Sequence, residues 1–220
     1  MAGLILARIA AITSTLSAPR MSRFIAACAN DRSRALELYR WNAQVSAALM
    51  VPLHICEVVL RNAIVGAVEE VYGPQWYVSG GAFERSLPKP RSGYSPYRDL
   101  CISRHGQPSA GKVIPELKFM FWVSMVTARH DARLWTPFIA KYFPFLLPTS
   151  APRDKRRALH HRLDEIRTLR NRIAHHEPIF YRSLVQDHSM VSDVISWISP
   201  ETADWLNSFE TVTTIITQRP

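Results

Sequence analysis

Apolar residues return at helical spacing along most of this chain. Between Asp31 and Met50 they fall at Leu36, Tyr39, Trp41, Val45, Ala48 and Leu49, one face of a helix with Asp31 as N-cap. Pro52 predicts a kink or a new first turn. Residues 53–71 are apolar nearly all round, as in a helix buried on most sides, and Gly73-Pro74 ends it. Helical spacing resumes over 115–130 and in a short piece around 135–143. A long helix is predicted over 151–176, with Ser150 as N-cap, Pro152 near its first position and Pro178 as its stop. Two more are predicted over 183–198 and 200–216, the second opened by Ser199-Pro200. The apolar N-terminal stretch reads as a first helix, because Arg8 interrupts it and no basic region precedes it. No run alternates as a strand would. The expectation is an all-α fold of about seven helices, one domain over 1–220, with a long loop-rich insertion around 73–113.

Composition supports a folded chain. Of 220 residues, 47% are hydrophobic and 20% charged, so wholesale disorder is not expected. The charge changes the picture more. Lys and Arg number 27 against 18 Asp and Glu, a formal net charge of +9, which favours a polyanionic partner such as RNA. Residues 153–172 carry eight of those cations against Asp154, Asp164 and Glu165. Such a stripe neutralises phosphates, or it is a solvated face with ordinary intrahelical pairs. Arg156, Arg157, Arg167 and Arg172 are its candidate RNA contacts. Three cysteines (Cys28, Cys56, Cys101) without close spacing suggest neither a disulfide framework nor a zinc ribbon, and a reducing cytoplasm fits them. No stretch reaches ~18 uninterrupted apolar residues, so no membrane span is predicted.

Candidate chemistry gathers at the end of the helix predicted over 151–176. Its apolar stripe is Leu159, Leu163, Ile166, Leu169 and Ile173, and Arg170 falls inside that stripe. An arginine there either snorkels or is held by a buried acid. Asn171 and His175 share a surface at i, i+4, and His176 stands one turn above Arg172. An imidazole titrates near neutrality and can move the proton of a ribose 2′-hydroxyl; a guanidinium can brace phosphate oxygens as charge builds on them. Glu57 and Arg61 form an i, i+4 pair in the buried helix, and Glu57 is expected to neutralise Arg61, Arg170 or both. His160, His161, His175, His176, Glu177, Asp187 and His188 are metal-ligand types, but without a ligand spacing, so neither a metal nor a cofactor is expected.

The run Leu169-Arg170-Asn171-Arg172-Ile173-Ala174-His175-His176-Glu177-Pro178-Ile179-Phe180 resembles the LRNRxAHHEPIF signature of Abi-like (abortive infection) proteins of the HEPN superfamily. Leu16–Arg20, the E-x-x-L-R-N helix at Glu57–Asn62, and the aromatic residues at 116–124 and 134–135 resemble further parts of that family. The resemblance implies a HEPN-type helical bundle with additional helices. It also implies an R-x4-H motif at Arg170 and His175, in a metal-free ribonuclease site formed by two copies. Asn171 would position, His176 and Arg172 would assist, and the products would be a 2′,3′-cyclic phosphate and a 5′-hydroxyl. A homodimer, an RNA substrate and a restraining antitoxin protein or non-coding RNA follow from the same resemblance. The chain departs where some relatives carry a tyrosine two residues after the histidine: here it has Glu177. The resemblance also covers inactive members, which serve as RNA-binding or protein-interaction modules in phage defence.

Overall fold

The computed structural model describes residues 2–88, 90 and 92–220, with side chains from residue 6 onward. Among these residues there are twelve α-helices and no strand, so the fold is all-α. Two N-terminal helices, α1 (Ala2–Thr15) and α2 (Ala18–Ala27), lead into α3 (Arg32–Tyr72), a single helix of 41 residues. Asp31 caps α3 as expected, accepting the N–H groups of Ser33 (2.9 Å) and Arg34 (3.1 Å). Gly73, at φ 75°, ends it.

Pro52 does not divide this helix. It removes one backbone donor, but it is itself buried beside Leu53 and Leu49, and packing on both sides carries the helix through. By length and composition α3 would fit a membrane span, with an 18-residue window of mean hydropathy 1.7. In this fold it is the central packing element, in contact with α1, α2 and six or more later elements, α10 and α12 among them.

The segment after α3 carries more structure than its Gly, Pro and Ser content suggests. It holds α4 (Ala82–Ser86), α5 (Pro96–Ser103) and α6 (Ala110–Glu116). Trp76, Phe83, Leu87, Leu100 and Val113 are all buried, so this segment covers the core. Two carboxylates pin it. Asp99 accepts the Tyr94 hydroxyl (2.7 Å) and the Lys118 N–H (3.3 Å). Glu84 accepts the Gly80 N–H (2.6 Å) and Arg104 (2.9 Å), and the Arg104 hydrogen bond chiefly holds its pKa down at about 2.

The helix expected over 115–130 is broken. Lys118 is extended, α7 runs only Phe119–Met125, and a 3-10 turn (Ala128–His130) and a π turn (Asp131–Trp135) lead into α8 (Thr136–Tyr142). The Trp135 indole donates to the Met125 carbonyl (2.7 Å), fastening this turn sequence. Next comes α9 (Pro152–Ala174), and its N-cap is Ala151 rather than Ser150. No side chain caps it; Pro152 near N1 needs no hydrogen-bond partner there. The last elements are α10 (Leu184–Ile198), α11 (Pro200–Asn207) and α12 (Val212–Thr217). The expected 200–216 helix is split because Glu210 turns back to accept the N–H groups of Val212 and Thr213, starting a new helix.

Close packing at one glycine is decisive for the α3–α8 contact. A Cβ on Gly66 would lie 2.3 Å from the Tyr142 ring, whose hydroxyl bonds Glu70 (3.0 Å). Gly66→Ala should destabilise the fold by ~1–3 kcal/mol through overpacking, measured by chemical denaturation, and Tyr142→Ala in the same chain should relieve part of that cost.

His130 is 4% exposed, and its pKa is pushed down to about 4, first by burial and then by Arg129 and Arg133. The unfolded chain therefore binds a proton that the folded chain refuses. Stability should fall by ~3 kcal/mol as pH drops from 6.5 towards 4. Glu84 adds its own loss only at lower pH, as its folded-state pKa of about 2 is approached. His130→Gln should flatten the slope of unfolding free energy between pH 6.5 and 4.5; an unchanged slope would contradict this assignment.

Candidate functional site

The end of α9 positions the candidate chemistry. Ala174 is its last helical residue, and His175 is the C-cap, its N–H bonded to the Asn171 carbonyl (2.9 Å). His176 lies outside the helix, not one turn above Arg172. Its φ is 55°, the left-handed region, and its N–H reaches the Ile173 carbonyl (3.0 Å). The Glu177 N–H reaches the Arg172 carbonyl (2.7 Å). These two bonds form a Schellman stop with histidine where glycine is usual. That conformation costs a histidine about 1 kcal/mol. Pro178 then prevents the helix from resuming.

Several side chains hold this stop in place. Asn42 of α3, 7% exposed, accepts the N–H groups of Ile179 (2.8 Å) and Phe180 (3.1 Å) through one oxygen. Phe180 packs on Phe24 of α2, and Phe24 on Tyr39 of α3, each with ring centroids 5.0 Å apart. Arg20 of α2 donates to the His176 carbonyl. Arg172 bonds Glu177 (3.1 Å) and the Tyr181 hydroxyl, with its guanidinium 5.3 Å from the Tyr181 ring centre. A cleft of about 410 Å³ lies beside the stop, lined among others by Tyr39, Asn42, Ser46, Met50, His176 and Glu177. His175 is exposed on another side of the helix end.

The basic stripe is mostly compensated within the protein. Arg156 turns inward, 8% exposed, and grips Asp131 through Nε (2.9 Å) and Nη2 (3.2 Å). It is thus a structural residue that joins α9 to the π turn, and the expectation that it contacts RNA does not hold. Arg167 bonds Asp164 on its own helix (2.8 Å), Arg162 pairs with Asp193 (3.2 Å), and Arg157 lies loosely by Asp154 (3.9 Å). Arg157 is well exposed and the freest of the four expected RNA contacts. Asp187, weighed above as a metal ligand, is 5% exposed and bonded twice by Arg182, at 2.7 Å each. Among the described residues no three His, Cys, Asp or Glu side chains gather as a metal site. Burial pushes the Cys56 thiol up to about 12, so it stays protonated in the core.

Arg170 differs from its neighbours. Among the described residues it has no hydrogen bond or ion pair, although it is only partly exposed. Glu57 pairs with Arg61, as expected, with side chains 16% and 19% exposed. It makes no such pair with Arg170. Instead Arg170 stands close enough to Arg61 to lower its pKa, adding its repulsion to the larger effect of burial. The Arg61 Nε is buried without a partner. Of these two neighbouring guanidinium groups, only Arg61 has a carboxylate partner.

Arg170 and His175 are not adjacent on the helix. An offset of five positions sets them about 7.5 Å apart along the axis and about 140° around it. Arg170 faces α3, while His175 faces outward. Sequence reasoning missed Asn42 and Arg20. Asn42 carried a signal: it is an amide inside the apolar stripe of α3, where an unpaired polar group would be costly. Arg20 lay in the segment 16–20 that resembles the family, but nothing in its spacing pointed to the end of α9. No family model, curated protein or solved structure matches this chain.

Glu57 gives a direct test. Glu57→Ala should destabilise the fold by ~1–3 kcal/mol, discounted from a fully buried pair because these groups are partly solvated. Glu57→Ala/Arg170→Ala should be less unstable than the sum of the two single variants, because the second change removes the repulsion that the first exposes. Strict additivity in denaturant melts would show that Arg61 and Arg170 are not coupled.

Proposed function

We propose that this protein is a metal-independent endoribonuclease of the abortive-infection type, with a HEPN-like R-x4-H site at Arg170 and His175. The observation that carries the reading is the uncompensated Arg170 beside Arg61. Five of the eight cations between residues 153 and 172 have an acid partner, whereas the arginine of the motif is set against a second arginine. That arrangement lowers its own stability unless an anion lies between or beside the two groups. A phosphodiester supplies such an anion, and a guanidinium matches two of its oxygens at once.

The chemistry then follows. His175 takes the proton of the 2′-hydroxyl as its oxygen attacks the adjacent phosphorus. The bond to the 5′-oxygen breaks, and that oxygen leaves with a proton returned by the His175 imidazolium, directly or through water, giving a 2′,3′-cyclic phosphate and a 5′-hydroxyl. Arg170 stabilises the charge on the non-bridging oxygens. Because Arg170 and His175 face different ways on one helix, the reading places the His175 of one copy beside the Arg170 of a second, in a homodimer. Asn171, on the surface of His175, positions the imidazole or the substrate. His176 lines the neighbouring cleft, and Arg172 acts by holding Glu177 and Tyr181 rather than by touching RNA. An RNA-cutting protein needs restraint, so an antitoxin protein or non-coding RNA partner belongs to this reading, as does a place in the cytoplasm.

One observation favours a second reading, an inactive module that holds RNA. The His175 side chain is exposed and has no hydrogen-bond partner to fix its tautomer among the described residues. Both readings are separated by incubating the purified protein with a labelled oligoribonucleotide in excess chelator. Cleavage should leave a 2′,3′-cyclic phosphate. It should fall by about 10²-fold or more in Arg170→Ala and His175→Ala, and vanish on an oligonucleotide with 2′-deoxyribose at the cut. Salt-sensitive binding without cleavage, by folded wild type and both variants, would replace the enzyme with the holding module.

A further inference from the structure

Another cleft lies elsewhere. It has a volume of about 570 Å³ and lies where the C-terminal end of α3 meets α4 and the 3-10 and π turns. Tyr72, Arg85, Ser86, Arg129, His130 and Arg133 line it, and no carboxylate does. A second cleft of about 530 Å³ adjoins it, shares Arg85 and Arg129, and adds Tyr94 and Ser95. Tyr72 is eleven residues beyond Arg61 on α3, about 16 Å along the helix, so this place is separate from the motif.

The three arginines are held but not neutralised. Arg85 donates to the Gly80 carbonyl, Arg129 Nε to the Ser86 carbonyl (2.9 Å), and Arg133 to the Tyr72 hydroxyl (3.5 Å). Each partner is neutral. None of the three makes an ion pair among the described residues. The nearby acids are engaged elsewhere: Glu84 by Arg104, Asp99 by Tyr94, and Asp131 by Arg156. Neutral acceptors orient guanidinium groups without spending their charge, and a low-dielectric wall strengthens the field they share. The field is felt inside the cleft, since Arg129 and Arg133 add to burial in keeping His130 uncharged, against a smaller opposing effect of Asp131. A ligand here therefore meets three positive groups and neutral imidazole and hydroxyl groups.

We propose that this cleft is a second phosphate-binding site, which takes clustered phosphate charges through Arg85, Arg129 and Arg133. A free nucleotide with two or three phosphates and the backbone of an RNA strand both present that chemistry. The site does not depend on whether Arg170 and His175 cut RNA. Arg85 and Arg129 line both clefts, which suits a ligand with more than one phosphoryl group, and Tyr94, 37% exposed in the adjoining cleft, offers a ring for a base.

The test is calorimetric titration of the full chain, in chelator, with ATP and separately with a 2′-O-methyl oligoribonucleotide that cannot be cleaved. Wild type, Arg170→Ala, Arg129→Ala/Arg133→Ala and Arg133→Gln are compared, with thermal melts as the folding control. ATP binding that survives Arg170→Ala and drops at least tenfold in the double variant assigns the cleft to free nucleotides. Oligonucleotide binding that drops tenfold, with a salt slope shallower by about 1–2, while ATP does not bind, assigns it to an RNA strand. Arg133→Gln changes an exposed side chain and keeps the test open if the double variant melts early. The proposal is overturned if wild type binds neither ligand, or if the folded Arg133→Gln and double variants bind both as wild type does. Loss of cleavage in Arg170→Ala with this binding intact would bear on the motif alone.

Discussion

Asn42 holds the end of α9. One buried carboxamide oxygen on α3 takes the N–H groups of Ile179 and Phe180, and that fixes where the chain turns after the helix. Both donors would otherwise be buried without a partner, at ~1–3 kcal/mol each. Ile179 and Phe180 are themselves buried, and Phe24 links the turn to α2 and α3. Against this, the left-handed conformation at His176 costs only about 1 kcal/mol. The balance explains why a histidine can stand where glycine is usual, and why α9 stops after Ala174 although His175 and His176 do not by themselves end a helix. The directions of His175, His176 and Glu177 all follow from that stop.

Charge is arranged around it unevenly. The acids of this basic chain are placed on the arginines that hold elements together: Asp131 on Arg156, Asp187 on Arg182, Glu84 on Arg104, Glu177 on Arg172. These pairs are partly buried and hydrogen-bonded, the setting in which an unpaired charge is most costly. What remains without a carboxylate is therefore informative. Among the cations without an acid partner, Arg170 stands beside the Glu57-paired Arg61 at the apolar stripe of α9, and Arg85, Arg129 and Arg133 gather in one cleft. A count of net charge cannot make that distinction; only the pairing can.

Much of the fold was legible because it rests on periodicity. The 3.6-residue spacing marked α3, α9 and α10, and the capping residues Asp31 and Ser199 were readable where a short polar side chain precedes the helix. The errors share a cause. Pro52, Lys118 and Glu210 are positions where side-chain contacts overrule the periodic signal: packing carries α3 past its proline, the distant Asp99 holds the extended Lys118 backbone, and Glu210 caps a new helix two residues on. The segment 73–113 was unreadable as helix because its helices have only five to eight residues, too few for a periodic signal. At the candidate site, the pair Glu57–Arg61 was legible from spacing along one helix. The fate of Arg156 was not, because Asp131 lies 25 residues away. Asn42 lies 137 residues from Ile179, and its role is invisible without the fold.

The Arg61–Arg170 arrangement and the His176 backbone pull in the same direction. Each places a locally unfavourable feature at the same end of α9, and each is tolerated because the surroundings over-determine it. Glu57 offsets part of the repulsion, and Asn42, Arg20 and Phe180 offset the backbone cost. A fold under selection for stability alone would replace Arg170 with an apolar residue, since it occupies an apolar stripe continuous with Leu163, Ile166 and Ile173. A partly exposed guanidinium can stay there with its stem on the stripe and its head towards water, where it is open to an anion. The nearness of Arg61 also explains why the motif sits on a rigid helix rather than a loop: two like charges can be held in proximity only by elements that cannot relax apart.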